Sequence, residues 1–515
     1  MRRRSTRLFP ALLAASAVAG CTAGPSVRPA VIENDGPSKP APSSSAPPVP
    51  LPPLSTPQSP TVRWSDCGAE TRQRLGQPGV PDSLQLDCAR LTVPLAAPDE
   101  VRRIPVRLLL LKVGTGPIPL VVVNDIDGEP GSLAAARLAA TLPSAFLEKF
   151  SLIGMDRRGT GQSGPVQCVP QEVRPDLLSA DPAKGDLEGV LDAARKGGQQ
   201  CGIDLDTAKT AMDSWRGAGD LEELRKALGT DRLDALGRGD GSKVLSEYAV
   251  RFPGQVGRVV LDGLPDPGAD TAAVLDAVAA GAQSTWDAFA QDCTARHCAL
   301  GDAKAAFTAL IVQLRQTPGQ TEDGIAFGPG IAAFAVYSGL AQRSRWPELA
   351  DAIASARTGN IAGLTAFAAP FLRDSRAQPS RLDAAIATRC NDSLPRLSAE
   401  QLDQVGTAMR TKYPQFGATV AQQLAWCGPW PVRREPLPAT GAPGAPPILV
   451  AATASDPVTP GVGTQRGAEQ MPSAVTVTWQ GAGHGAVGLS PCVTEAARAF
   501  LIDGKIPADG TLCPA

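Results

Sequence analysis

The chain has 515 residues, with 49 Lys plus Arg against 51 Asp plus Glu and a formal net charge of -2. That balance lacks the basic excess of a nucleic-acid binder, and 43% apolar with 19% charged residues is the composition of a globular protein with a core. Only two histidines occur, His297 and His484, which excludes a His-rich metal centre; neither a metal nor a cofactor is expected.

Taken in chain order, Arg2, Arg3, Arg4 and Arg7 precede an apolar run over 8–20 that ends in Val18-Ala19-Gly20-Cys21. Residues 1–20 read as a signal peptide. The run is too short to span a bilayer as a stable helix. The small residues before Cys21 resemble a bacterial lipobox. The chain is therefore expected to be exported and anchored by lipid on Cys21 to the extracytoplasmic face of the cell membrane. Residues 21–60 are rich in Pro and Ser and read as an extended tether without a core. No further membrane span and no internal repeat stand out. Ten cysteines remain: Cys67, Cys88, Cys168, Cys201, Cys293, Cys298, Cys390, Cys427, Cys492 and Cys513. An even number in an exported chain points to disulfides. Pairing of nearest neighbours is one solution; a mixture of pairs and buried thiols is another.

Short runs rich in Val, Ile and Leu predict strands over 104–111, 118–124, 150–156, 233–237, 256–262, 447–452 and 474–479. Helical patterns at 219–228 and 243–252 lie among them, as in a mostly parallel sheet covered on both faces. From 268 to 435 helical patterns dominate, at 271–290, 303–314, 347–357 and 399–410. The expectation is an α/β core over 61–267 and 436–515, interrupted by a helical lid.

Ligands of such sheets bind beyond the carboxyl ends of the strands. Asp456, in Ser455-Asp456-Pro457, follows one predicted strand and suits an acid that orients a histidine. His484, in Gly481-Ala482-Gly483-His484-Gly485, follows another and is the candidate acid/base. His297 lies between Cys293 and Cys298 and needs no chemistry to explain it. Gly237-Arg238-Gly239-Asp240-Gly241 stands between a strand and a helix, with the spacing of a G-x-S-x-G nucleophile elbow. Its centre, Gly239, has no side chain to attack with. Asp240 and Ser242 have the wrong flanking residues to replace it, and Gly161-Gln162-Ser163-Gly164 reads as a glycine-rich loop.

From Trp64 onward the chain resembles the secreted tripeptidyl-aminopeptidase-like α/β-hydrolases of actinobacteria, relatives of the prolyl aminopeptidases. The likeness rests on the run from Tyr248 to Gly263, on Gly154-Met155-Asp156-Arg157-Arg158-Gly159, on Asp456-Pro457-Val458-Thr459-Pro460, and on Gly483-His484-Gly485 with Ser490-Pro491-Cys492. The resemblance implies an α/β-hydrolase fold with an inserted lid, and Asp456 and His484 at triad positions. It also agrees with neighbour pairing of the ten cysteines.

Two departures oppose the family's activity. Serine is replaced by Gly239. A glycine-rich stretch resembling N-P-G-G-P-G-G-S-G, which builds part of the oxyanion hole, is replaced by residues 124–132, with Asp125, Asp127 and Glu129. Acids there, and Asp240 beside them, would oppose a developing negative charge. The expected function is a non-catalytic, lipid-anchored member that binds a peptide, small molecule or partner. Its rival is a hydrolase, peptidase or esterase, in which His484 and Asp456 activate water with Asp125, Asp127 or Asp240 assisting. A purely structural envelope protein with a closed cleft is the third reading.

Overall fold

A computed structural model describes residues 50–515 apart from 78, 98–103, 185–186, 376–377, 394 and 433–440. The signal segment, Cys21 and most of the tether lie outside these residues.

Ten strands form one sheet. They are β1 (Ser65–Asp66), β2 (Leu86–Pro94), β3 (Pro105–Val113), β4 (Ile118–Val123), β5 (Phe150–Met155), β6 (Leu233–Arg238) and β7 (Val256–Asp262), then β10 (Ile448–Ser455), β11 (Ala474–Ala482) and β12 (Thr511–Cys513). Strands β8 (Gly319–Gln320) and β9 (Ala326–Phe327) make a separate small ribbon. The sheet order is β1-β2-β3-β5-β4-β6-β7-β10-β11-β12. Pairs from β5 through β12 are parallel, and the three pairs at the β1 end are antiparallel. The chain thus has the α/β-hydrolase architecture.

Strand periodicity explains how β4 is buried on both sides. Leu120 and Val122 pack into one face's core with Leu133, Phe146 and Phe500, while Val121 and Val123 pack into the other with Leu221, Leu245 and Tyr248. A run apolar on both faces is therefore covered by helices on both. Residues 50–60 depart from the tether expected of their composition. Leu51 and Leu54 pack against the first core, and Gln58 N–H donates to Gly229 O at 2.9 Å. Two leucines and a few backbone bonds suffice to lay a proline-rich strip along an existing surface.

Between β7 and β10 the chain forms a run of helices from Thr271–Ala295 to Gly417–Trp426. They share a core with residues 166–212, in which the Trp286 ring touches Phe289, Phe307 and Phe416. Asp383, fully buried in the helix Arg381–Asp392, ties this layer to the loop after β5. Its Oδ1 accepts from the N–H groups of Cys168 and Val169, both at 2.8 Å, and Arg174 Nε donates to Oδ2 at 3.1 Å. The ten described cysteines pair as neighbours: Cys67–Cys88, Cys168–Cys201, Cys293–Cys298, Cys390–Cys427 and Cys492–Cys513.

Candidate active site

The carboxyl ends of β4, β6, β7, β10 and β11 converge on one place. At the end of β6 the chain reverses into the helix Asp240–Arg251 through Gly239, whose φ is 55° and ψ -125°. The turn leaves no room at its flanks. A Cβ on Gly237 would lie 2.8 Å from backbone atoms of Ser242, and one on Gly241 would lie 2.2 Å from Val123 O. This is the sharp strand-to-helix turn that exposes a nucleophile in α/β-hydrolases.

His484 follows β11. Its Nδ1 faces Asp456 Oδ1 and Oδ2 at 3.1 and 3.0 Å. Asp456 is fully buried after β10 and is held in turn by the N–H groups of Val458 and Thr459, at 2.7 and 2.9 Å, and by the Thr459 hydroxyl at 3.0 Å. Asp262, at the end of β7, fastens the histidine loop by accepting from Ala486 N–H at 2.7 Å and pairing with Arg238 at 3.2 Å. The orienting acid and the imidazole therefore stand as in a hydrolytic triad.

What completes the set is Asp125, just beyond β4. Its Oδ2 lies 2.8 Å from His484 Nε2, and its Oδ1 accepts the Asp240 N–H at 2.9 Å. A Cβ built on Gly239 would fall 1.8 Å from Asp125 Oδ1. The carboxylate thus fills the volume of the missing nucleophile side chain. It also takes the N–H of the residue after the nucleophile position, a standard oxyanion-hole donor. The second backbone donor in this region, Ile126 N–H, bonds to Asp240 Oδ1 at 2.9 Å.

The four acids expected to crowd the oxyanion region behave differently, and Glu129 pairs with Arg137 at 2.7 Å. Asp125 faces His484. Asp240 turns its carboxylate to Arg157, at 2.5 Å, and to the Ile126 N–H, and gives its own N–H to Asp125. Asp127 pairs with Arg389 of the lid. His297 is exposed at φ 53° in the loop closed by Cys293–Cys298, away from this constellation.

The charges follow from the contacts. Burial opposes a charge on His484, but Asp456 and Asp125, by charge and hydrogen bond, push its pKa well above the usual imidazole range. Burial alone would raise the Asp125 carboxyl. His484, the Asp240 N–H and Arg238 together hold it below the usual carboxylate range. Burial lifts Asp240 to about 6 against the pull of Arg157, with Asp125 and Asp127 adding to the rise. An imidazolium with both ring nitrogens engaged has no lone pair to accept a proton.

The family described as TAP-like protein matches residues 413–513. The serine protease Hip1 of Mycobacterium tuberculosis is 30% identical over 482 residues, spanning 88% of this chain and 91% of its own. The chain belongs to the tripeptidyl-aminopeptidase-like α/β-hydrolase family. A tripeptidyl aminopeptidase of Streptomyces lividans is 26% identical over 475 residues, covering 88% of this chain and 86% of its own. Among solved structures, an α/β-hydrolase fold protein from Chitinophaga pinensis aligns with 81% of this chain and 98% of its own at 13% identity, with a TM-score of 0.36. This family membership places the chain among peptidase-like hydrolases.

Proposed function

We propose that the chain is a ligand-binding member of this family that carries out no serine acyl transfer. The observation behind this reading is the position of Asp125. One carboxylate occupies the space of a nucleophile at residue 239, the N–H of Asp240 and the Nε2 face of His484. Loss of a triad nucleophile lowers turnover by roughly a millionfold, and what survives relies on the oxyanion hole and binding. Here the Asp240 and Ile126 donors are spent on internal carboxylates. The same geometry disfavours water activation by His484, because a base must first be neutral.

A fluorophosphonate probe and a panel of tripeptide p-nitroanilides and p-nitrophenyl esters test the reading. No adduct and no turnover are expected. Hydrolysis that disappears in His484→Ala would replace it with the hydrolase reading. Export and lipid anchoring belong to the same proposal and rest on the 1–21 sequence alone. Metabolic labelling with a lipid precursor is expected to mark the chain, and Cys21→Ser to abolish the mark; label retained in that variant would exclude Cys21 as the anchor.

A further inference from the structure

Strand β3 runs past the end of its neighbour β5. The two pair only over 110–113 of β3 and 152–155 of β5, while β3 begins at Pro105. On its other side β3 pairs with β2 along its whole length, from Pro94 with Pro105 to Leu86 with Val113. The antiparallel alternation fixes where each backbone group points. Leu95 N–H donates to Ile104 O at 2.7 Å, so the even residues of β3 turn their N–H and C=O to β2 and the odd ones turn theirs to the β5 side. Leu109 finds partners there. Its O accepts from Asp156 N–H at 3.0 Å, and its N–H donates to Ser163 Oγ at 2.8 Å. Pro105 and Arg107 lie beyond the end of β5. The Arg107 N–H and the carbonyls of Pro105 and Arg107 point outward, and among the described residues no partner meets them.

Along this free edge lies a groove of about 500 Å³. Leu95, Val106, Ala208 and Met212 give it apolar walls, Arg90 and Arg107 give it positive charge, and no described acidic residue lines it. Arg90 spends its guanidinium on neutral acceptors, Gln162 O at 2.6 Å and Gln162 Oε1 at 3.0 Å. Arg107 is exposed, and its guanidinium has no ion pair or hydrogen bond to any described residue. Unpaired main-chain groups, an apolar trough and uncompensated positive charge therefore occur together. A strand edge with unpaired N–H and C=O groups is a template for another chain.

We propose that this groove is a docking site for an extended, acidic peptide segment of a partner protein, added as a strand beside residues 105–107. Main-chain bonds to Arg107 and Pro105 hold the segment, its apolar side chains enter the trough, and a carboxylate meets Arg107. The groove is separate from His484, so it stands or falls independently of the ligand-binding reading above.

A displayed library of seven-residue peptides selected on the full chain, followed by synthesis of the strongest binder, tests the proposal. The binder should combine Val, Ile or Leu with at least one Asp or Glu. Arg107→Glu should weaken it at least about tenfold, the scale of one charge-assisted contact. N-methylation along the binder gives the readout particular to strand addition. Affinity should fall roughly three- to tenfold at two positions two residues apart, those whose N–H groups reach the carbonyls of Arg107 and Pro105, and hold at the residue between them. A selection that enriches no sequence, a binder indifferent to Arg107→Glu, or a methylation pattern without that spacing would each overturn the proposal. Sedimentation of the chain alone covers the remaining occupant: a dimer that Arg107→Glu dissolves would assign the groove to a second copy and overturn it as well. The selection and the methylation scan use the unmutated chain, so they stand even if the variant fails to fold.

Discussion

Gly239→Ser restores the family's nucleophile on paper, yet the structure predicts a damaged and inactive protein. The new Cβ would lie 1.8 Å from Asp125 Oδ1 and 2.5 Å from its Cγ. Asp125 must therefore withdraw, giving up its contacts with His484 Nε2 and Asp240 N–H. Overpacking alone costs roughly 1–3 kcal/mol. A non-glycine residue held at a strained φ adds roughly 1–3 kcal/mol. Denaturant unfolding should show a loss of roughly 2–6 kcal/mol, with no labelling by fluorophosphonate. The double variant Gly239→Ser with Asp125→Gly removes the obstruction and returns both His484 Nε2 and the Asp240 N–H to the cleft. It should acquire the label and hydrolyse p-nitrophenyl acetate. Its rate should still fall roughly 10²–10³-fold short of a site with a complete oxyanion hole, because Asp240 continues to hold the Ile126 N–H. Labelling of the single variant as fast as the double would refute the role given to Asp125. So would a double variant that folds and takes no label.

Two further outcomes follow from the charges. The His484 ring resonances should report an imidazolium at neutral pH, and Asp125→Asn, by removing one of its two carboxylates, should lower the pKa measured by NMR. Because this pKa is raised by folding, its stabilisation is complete below the free imidazole value near ~6.5 and is lost as pH rises through the folded value. Stability should accordingly fall on the alkaline side, less so in Asp125→Asn, and a wild-type ring titrating near ~6.5 would contradict the geometry. Asp383→Ala leaves the Cys168 and Val169 N–H groups without an acceptor and Arg174 with Asp374 alone as its partner, and should lower the unfolding free energy by roughly 2–4 kcal/mol; a loss under about 1 kcal/mol would show that this tie is dispensable.

Several helices illustrate why the sequence was only partly legible. Ala303–Gln316 keeps one wet face, so its apolar spacing can be read. Ala362–Leu372 is apolar nearly all round, with Pro370 inside it, because its exposed face is built from Ala362, Gly363 and Ala366 and carries no polar mark. The helix Glu188–Leu205 carries Gly197-Gly198, two weak helix formers, and Cys201 anchors it to Cys168. Burial and a disulfide, both supplied by distant chain, override the local preference there.

By itself the sequence determined the α/β order, the elbow centred on a glycine, and Asp456 and His484 at strand ends, because strand periodicity and tight turns leave local marks. Only the tertiary structure decided which acid meets the histidine. Asp125 and Asp127 are two residues apart and chemically alike, yet one enters the nucleophile's empty volume and the other leaves for Arg389 in the lid. The path of one loop between β4 and the elbow separates them. Asp125 meets the amide of Asp240 from 115 residues away, and no local pattern records a contact of that kind.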